Sequence, residues 1–166
     1  TDFSGLVNQN SRYFLQIQNG CDHRCTFCVI PYGRGNSRSV SVNKILDNVN
    51  EALQNNFKEI VLTGVDLTSW GKELSVEEYS LGCLVKKILN EFKTLPRLRV
   101  SSIDPAEIDY ELMEVLEYDH RFMPHLHLSI QHGDDLILKR MKRRHLYRDV
   151  INLVNEARRR RPEITF

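Results

Sequence analysis

The regular alternation of two kinds of segment constrains the fold of this 166-residue chain more than any other feature. Short β-branched runs predict strands at residues 13–18, 59–63, 98–103 and 125–131, with a fifth beginning at 164–166. Apolar residues at helical spacing predict intervening helices at about residues 42–53, 81–92, 110–117 and, in one or two pieces, 136–157. Strands that alternate with helices are typical of βαβ units, so we expect an α/β protein with a parallel sheet, open or rolled into a barrel.

The number of units indicates how much of a barrel the chain can form. A complete eightfold barrel takes about 250 residues, whereas this chain has four βα units and the start of a fifth strand. We therefore expect a partial (β/α) barrel of the TIM type. A hydrophobic fraction of 41% and a charged fraction of 27% are ordinary for a globular domain, and no internal linker divides the chain.

Charge and hydropathy exclude several classes of protein. The net charge of +1 gives no overall field to attract nucleic acid. No stretch has the 18 or so apolar residues of a membrane span, and the first residues lack the basic region of a secretory signal. We expect a cytoplasmic protein with no membrane partner, and the initial Thr1 suggests a fragment.

A cysteine array directly follows the first predicted strand. Cys21, Cys25 and Cys28 have the spacing C-x3-C-x2-C, and cysteines in a chain without a secretory signal favour metal or redox chemistry over disulfides. Soft thiolates select zinc, copper(I) or an iron–sulfur cluster. A 4Fe-4S cluster needs four ligands, so three cysteines would leave one iron open. The alternatives are a structural Cys3His zinc site in which His23 joins the three cysteines, and three thiols without a metal.

This array, with the aromatic Phe27 just before its last cysteine, resembles the cluster motif of the radical S-adenosylmethionine (SAM) enzymes. Residues 28–39 (CVIPYGRGNSRS), 62–67, 101–105 and 126–131 resemble the methylthiotransferase branch of that family. Within the branch, residues 32–39 are most similar to the bacterial members that modify N6-threonylcarbamoyladenosine (t6A) at position 37 of tRNA. The match runs from Arg12 to the end of the chain.

The resemblance implies an enzyme with two cofactors, a 4Fe-4S cluster and SAM. The open iron would chelate SAM, and an electron from the cluster would break its S–C5′ bond, giving a 5′-deoxyadenosyl radical that activates C2 of the adenine. The tRNA anticodon loop would be the substrate of the full-length enzyme, with an electron donor such as flavodoxin or ferredoxin. Alternative substrates within the branch are N6-isopentenyladenosine (i6A) at position 37 of tRNA and a ribosomal-protein aspartate.

The resemblance also implies a domain organisation. Members of the branch carry an N-terminal domain with a second cluster and a C-terminal RNA-binding TRAM domain. We expect residues 1–166 to be a single, incomplete radical SAM core domain that lacks both of these domains. Alone, it should not methylthiolate tRNA.

The implied site residues lie at the carboxyl ends of the predicted strands, which share one rim in a parallel sheet. The resemblance assigns the cluster to Cys21, Cys25 and Cys28, with no further catalytic residue. It implies SAM contacts for residues in the cysteine loop and after three strands: Phe27, Thr63, Gly64, Asp66, Ser102, Ser129 and Gln131. The competing structural interpretations are a core phenylalanine, a turn that ends a strand, and side chains bonded to local backbone. Arg34 and Arg38 share the cysteine loop, so we expect them to contact the substrate.

Charged runs have a less specific interpretation. The basic runs at residues 139–145 and 158–161 could contact RNA phosphates, but we interpret them as the solvated face of an outer helix. The acidic stretch 104–119 is expected at the surface. His132 departs from the small residue usual in the family, so it should either crowd the ribose of SAM or turn outward.

Overall fold

The computed structural model describes residues 11–74 and 80–166, which form an α/β fold with the expected alternation. The strands are β1 (Arg12–Gln16), β2 (Gln18–Asn19), β3 (Arg38–Ser39), β4 (Glu59–Thr63), β5 (Leu98–Val100), β6 (Ser102–Ile103) and β7 (His127–Leu128). The helices are α1 (Ile30–Arg34), α2 (Val42–Gln54), α3 (Leu81–Glu91), α4 (Tyr110–Tyr118), α5 (Asp135–Arg140) and α6 (Tyr147–Arg160), with short 3₁₀ turns at Leu67–Ser69 and Pro105–Glu107.

Apart from the short antiparallel pair β2–β3, the strands pair in parallel and in chain order, which is the topology of a (β/α) barrel. β4 lies between β1 and β5 and pairs in parallel with both. β6 pairs in parallel with β7, and a parallel bridge from His125 to Thr165 continues the order to the last residues. The predicted partial barrel is therefore confirmed, including the start of a fifth strand.

The helices cover one face of the sheet through an apolar core. On α2, the residues three or four positions apart at Val42, Ile45, Val49 and Ala52 are buried, as expected for an amphipathic helix. Alternate β1 residues such as Leu15 belong to the same buried cluster. The helical spacing on α2 and the alternation on β1 therefore direct their apolar side chains into one shared core.

The amino ends of the strands carry an ionic cluster on the opposite face of the sheet. The Glu59 side chain is 4% exposed, and the Nε atoms of Arg12, Arg97 and Arg99 lie 3.2, 3.1 and 2.9 Å from its carboxylate. A buried carboxylate requires such partners. This end of the sheet is stabilised by ion pairs, and the cysteines lie at the other end.

Two segments differ from the sequence expectation. The expected loop after the first strand contains the short helix α1 and the strand β3, which pairs antiparallel with β2. The expected strand at 125–131 is paired within a strand only at His127–Leu128. The chain leaves the sheet there because Ile130 N–H donates to Leu128 O and because Gln131 has a positive φ of 70°.

None of the helices in residues 11–74 and 80–166 has the length and apolar character needed to cross a bilayer.

Candidate functional site

A cavity of about 230 Å³ lies at the carboxyl ends of the parallel strands. All three cysteines of the array line it. Five of the predicted SAM-binding residues also line it: Phe27, Asp66, Ser102, Ser129 and Gln131. The structure therefore brings together residues from four separate segments, as expected for the rim of a parallel sheet.

Four other predicted site residues lie outside the cavity lining. Thr63 ends β4, and Gly64 approaches Gln18 so closely that a Cβ atom would lie 3.0 Å from the amide oxygen. Arg34 ends α1 and is exposed. Arg38 donates hydrogen bonds to the carbonyls of Asn36 and Arg34 over 3.0 and 2.9 Å, so it braces the loop that bears the cysteines.

The cysteine loop begins at a glycine that its geometry requires. Gly20 has a φ of +75°, and a Cβ atom there would lie 1.9 Å from the carbonyl oxygen of Asn36. Cys21 N–H then donates to Gly35 O over 3.1 Å, and Cys28 N–H donates to Cys25 O over 3.1 Å. The array is thus a compact turn tied to the segment after α1.

Gln18 is a buried hub that sequence reasoning missed. Its side chain is fully buried, and its amide oxygen accepts the N–H groups of Val65 and Asp66, each over 2.9 Å. Its amide nitrogen donates to Gly20 O over 2.8 Å and to Ser37 Oγ over 2.9 Å. Gln18 thereby joins the cysteine loop to the loop after β4.

Asp66 is the polar centre of the cavity wall beside Cys21. Its Oδ2 atom lies 3.7 Å from Cys21 Sγ, 3.1 Å from His23 Nε2 and 2.7 Å from Ser69 Oγ. Burial and the nearby Asp66 carboxylate raise the pKa of Cys21 to about 11, although a backbone hydrogen bond at His23 opposes them. The metal-free site therefore favours a neutral thiol, and metal binding at Cys21 would release a proton.

Arg143 lines the same cavity and corrects the interpretation of the basic run. Its side chain is only 8% exposed and lines the cavity. Nη2 donates to Asp104 Oδ2 over 2.8 Å and to Ser129 O over 2.9 Å, and Nη1 lies 3.7 Å from Cys25 Sγ. His145 in the same run is 1% exposed. The expectation of a solvated face is wrong for these two residues because both face the buried Asp104.

Asp104 likewise corrects the expectation of an acidic surface stretch, since it is only 8% exposed. Burial raises its pKa, but the Ala106 N–H and the guanidinium groups of Arg143 and Arg144 outweigh that effect, so the pKa lies below its ordinary value. Asp104 therefore stays ionised and holds the Arg143 side chain in the cavity lining.

His132 turns away from the cavity. It is exposed, and its Nδ1 atom accepts the N–H of Asp134 over 2.9 Å at the start of α5. The second of the two expectations for His132 matches this position.

The donor geometry fits a cluster better than a single ion bound by the cysteines. Around tetrahedral zinc, with Zn–S bonds of about 2.3 Å, the sulfurs lie about 3.8 Å apart. The three cysteine sulfurs are not all within 4.8 Å of one another. In residues 11–74 and 80–166, the donor set with that spacing is Cys21, His23 and Asp66. Three thiols that line one cavity are the donors that a multi-iron core needs.

The sequence of this chain is similar to those of a known family and of several named relatives. The family model of the Radical SAM superfamily matches residues 15–166. Over 156 residues, 94% of this chain, the chain is 50% identical to the threonylcarbamoyladenosine tRNA methylthiotransferase MtaB of Rickettsia prowazekii. It is 39% identical over 154 residues, 92% of this chain, to the tRNA-2-methylthio-N(6)-dimethylallyladenosine synthase of Bartonella bacilliformis. The matches span only 37% and 33% of those two relatives.

A solved structure has a similar fold. The radical S-adenosylmethionine methyltransferase TsrM from Kitasatospora setae, solved with cobalamin and a 4Fe-4S cluster bound, matches with a TM-score of 0.68 and 18% identity. The match covers 89% of this chain and 28% of that one. At this identity, the comparison concerns the fold alone.

Proposed function

Because this chain belongs to the radical SAM superfamily, we propose that it binds a 4Fe-4S cluster and SAM as the radical SAM portion of a tRNA methylthiotransferase. The observation that carries the proposal is the position of Cys21, Cys25 and Cys28, which lie on one loop and line one cavity at the carboxyl ends of the strands. Three thiolates satisfy three irons of such a cluster and leave one iron for another ligand.

The residues of the cavity have distinct proposed roles. Cys21, Cys25 and Cys28 hold the cluster, which when bound supplies the electron that cleaves SAM. Polar groups of SAM bind to the polar lining: Asp66, Ser102, Ser129 and Gln131. Phe27 and Leu67 contribute apolar side chains to the lining of the same cavity. Orientation and exclusion of water are the main tasks of a protein that encloses a reactive radical.

For the substrate, we propose t6A at position 37 in the anticodon loop of tRNA. Support comes from the 50% identity to the threonylcarbamoyladenosine tRNA methylthiotransferase of R. prowazekii. A relative named for dimethylallyladenosine is 39% identical, so i6A is the alternative substrate. The reaction would take place in the cytoplasm, where tRNA is modified, with flavodoxin or ferredoxin as electron donor.

Anaerobic reconstitution tests the cluster. The chain incubated with ferrous iron and sulfide should become brown, contain four iron and four sulfide per chain as the cluster type requires, and give an electron paramagnetic resonance (EPR) signal after reduction with dithionite. Replacement of all three array cysteines by serine should abolish uptake. Cys83 lies on α3, outside the cavity lining, and Cys83→Ser is the matched control that should retain full uptake. A colourless wild-type chain would contradict the proposal.

Zinc is a second candidate occupant because the donor atoms of Cys21, His23 and Asp66 lie within 4.8 Å of one another. Elemental analysis of the chain purified without added iron separates the two. One tightly bound zinc per chain that is lost in His23→Ala and retained in Cys28→Ser would favour the zinc site. If the proposed cluster occupies the site instead, the bound metal is iron, which should be lost in Cys28→Ser and retained in His23→Ala.

A domain exchange tests the substrate. Residues 11–166 would replace the matching segment of the R. prowazekii relative, and 2-methylthio-t6A would be quantified in tRNA by mass spectrometry. We expect the exchanged enzyme to form this nucleoside and its triple cysteine-to-serine variant to form none. An exchanged enzyme that carries its cluster but leaves t6A unmodified would contradict the proposed substrate.

A further inference from the structure

We infer that Arg143 is a positioning residue that donates a hydrogen bond to the Cys25 sulfur and raises the reduction potential of the cluster held there. The inference rests on the proposed function, because it requires the cluster. Nothing in the cysteine motif indicates this residue, which lies 118 positions further along the chain.

Arg143 is held rigidly against the cysteine loop. Nη2 donates to Asp104 Oδ2 over 2.8 Å and to Ser129 O over 2.9 Å, which fixes the plane of the guanidinium group. The Nη1 atom then lies 3.7 Å from Cys25 Sγ. The side chain is 8% exposed, so water competes little for these donors.

The backbone beside Arg143 holds the same loop. Thr26 N–H donates to Met141 O over 3.3 Å, and Thr26 Oγ1 donates to Arg140 O over 3.3 Å. Thr26 directly follows Cys25 in the chain. The backbone carbonyls of Arg140 and Met141 and the side chain of Arg143 therefore all bond to the middle of the cysteine array, at Cys25 and Thr26.

The expected electrostatic effect has a definite sign. Reduction adds one electron to the cluster and makes the sulfur ligands more negative. A cationic donor to a ligating sulfur stabilises that reduced state more than the oxidised state. Hydrogen bonds to the sulfurs and solvent exposure are established determinants of cluster potential. Removal of the Arg143 donor should therefore shift the potential to more negative values.

Arg144 provides a matched control within the same ion-pair network. Its Nη2 atom also lies 2.8 Å from Asp104 Oδ2, and its Nη1 atom contacts Glu107. It is 30% exposed and lies outside the cavity lining. Replacing either arginine removes one positive charge from Asp104, but only Arg143 contacts a cysteine of the array.

The test is a reductive titration followed by EPR on the reconstituted 166-residue chain without SAM, so that SAM affinity does not enter the result. We expect Arg143→Met to lower the midpoint potential and alter the EPR line shape, and Arg144→Met to leave both close to wild type. Equal potentials for wild type and Arg143→Met, or equal shifts in the two variants, would overturn the inference.

Arg143→Lys covers the case in which Arg143→Met fails to fold, as judged by circular dichroism. Lysine keeps the charge but lacks the planar fork that reaches Asp104 and Cys25 together. It should therefore give a smaller negative shift, and a wild-type potential would overturn the inference. A wild-type chain that takes up no cluster would instead contradict the proposed function.

Discussion

The side-chain oxygen of Gln18 accepts the backbone N–H of Asp66 over 2.9 Å and the N–H of Val65 over the same distance. The buried amide of Gln18 replaces the strand partner that the chain lacks after β4 ends at Thr63. It fixes the orientation of Asp66, whose carboxylate faces Cys21 and His23.

Replacement of Gln18 by leucine should therefore destabilise the chain. The substitution leaves two backbone N–H groups and the carbonyl of Gly20 without their partner, and each unsatisfied buried group costs about 1–3 kcal/mol. We expect a loss of at least about 3 kcal/mol in the free energy of urea unfolding. Gln54→Leu, at an exposed position at the end of α2, should change it by less than about 0.5 kcal/mol. A Gln18 variant as stable as wild type would contradict this role.

Two glycines should respond to alanine in opposite directions. A Cβ atom at Gly82 on α3 would lie 2.1 Å from Asp109 Oδ1 and 2.2 Å from the backbone nitrogen of Leu112. Gly82→Ala should push α3 and α4 apart and cost at least about 2 kcal/mol in thermal or urea unfolding. Gly33 in α1 has no atom within 4 Å of its Cβ position, so Gly33→Ala should gain up to about 1 kcal/mol from helix propensity. A stabilised Gly82→Ala would show that the helices are less closely packed than described.

Stability should fall in acid partly through Asp104. Its pKa in the folded chain lies below the ordinary value of 3.8, so its contribution is complete above 3.8 and is lost as the pH falls through the folded pKa. Asp104→Asn should lower stability by about 2 kcal/mol at pH 7, through loss of charged hydrogen bonds. It should also flatten the decline of stability below pH 4 in urea unfolding.

The control for Asp104 is Asp47→Asn on the exposed side of α2. This variant should lose stability below pH 4 as steeply as wild type does. Glu107 also has a lowered pKa, because its bond to Lys72 and the charge of Arg144 outweigh burial. Some acid sensitivity should therefore persist in Asp104→Asn. If Asp104→Asn loses stability below pH 4 as steeply as wild type, the assigned role of Asp104 is contradicted.

Gln131 combines backbone strain with a position in the cavity lining. Its φ of 70° costs about 1 kcal/mol for a residue other than glycine, while glycine loses more entropy on folding. Gln131→Gly should therefore change the stability by less than about 1 kcal/mol. Under the proposed function, the variant should also bind SAM roughly fivefold more weakly by calorimetry, through loss of one hydrogen bond. Asn56→Gly, with a φ of 61° outside the cavity, should leave SAM binding unchanged.

Much of the fold follows from local patterns in the sequence. The strand at Glu59–Thr63 and the helix that begins at Val42 match their predicted positions, because alternation and helical spacing each act over a few residues. The strand expected at 125–131 was predicted too long. Its alternating residues indicated an extended chain, but the turn at Gln131 depends on the loops around it.

The candidate site likewise has one part that the sequence indicates and another that depends on tertiary contacts. The cysteine spacing and its place after the first strand indicated the proposed metal centre, because the three proposed ligands lie within eight residues of each other in the sequence, from Cys21 to Cys28. Arg143 and Asp104 lay in charged runs that resembled solvated surface. A charge run shows how much charge a segment carries, but which of its side chains is buried depends on the packing of distant segments.

The sequence by itself determined the alternating α/β architecture and the three sulfur donors, since periodicity and ligand spacing are local properties of the chain. Only the tertiary structure decided which polar side chains support those donors. Gln18 meets Asp66 across 48 positions and Arg143 meets Cys25 across 118. Such contacts form because buried polar groups must find partners wherever the folded backbone brings them together.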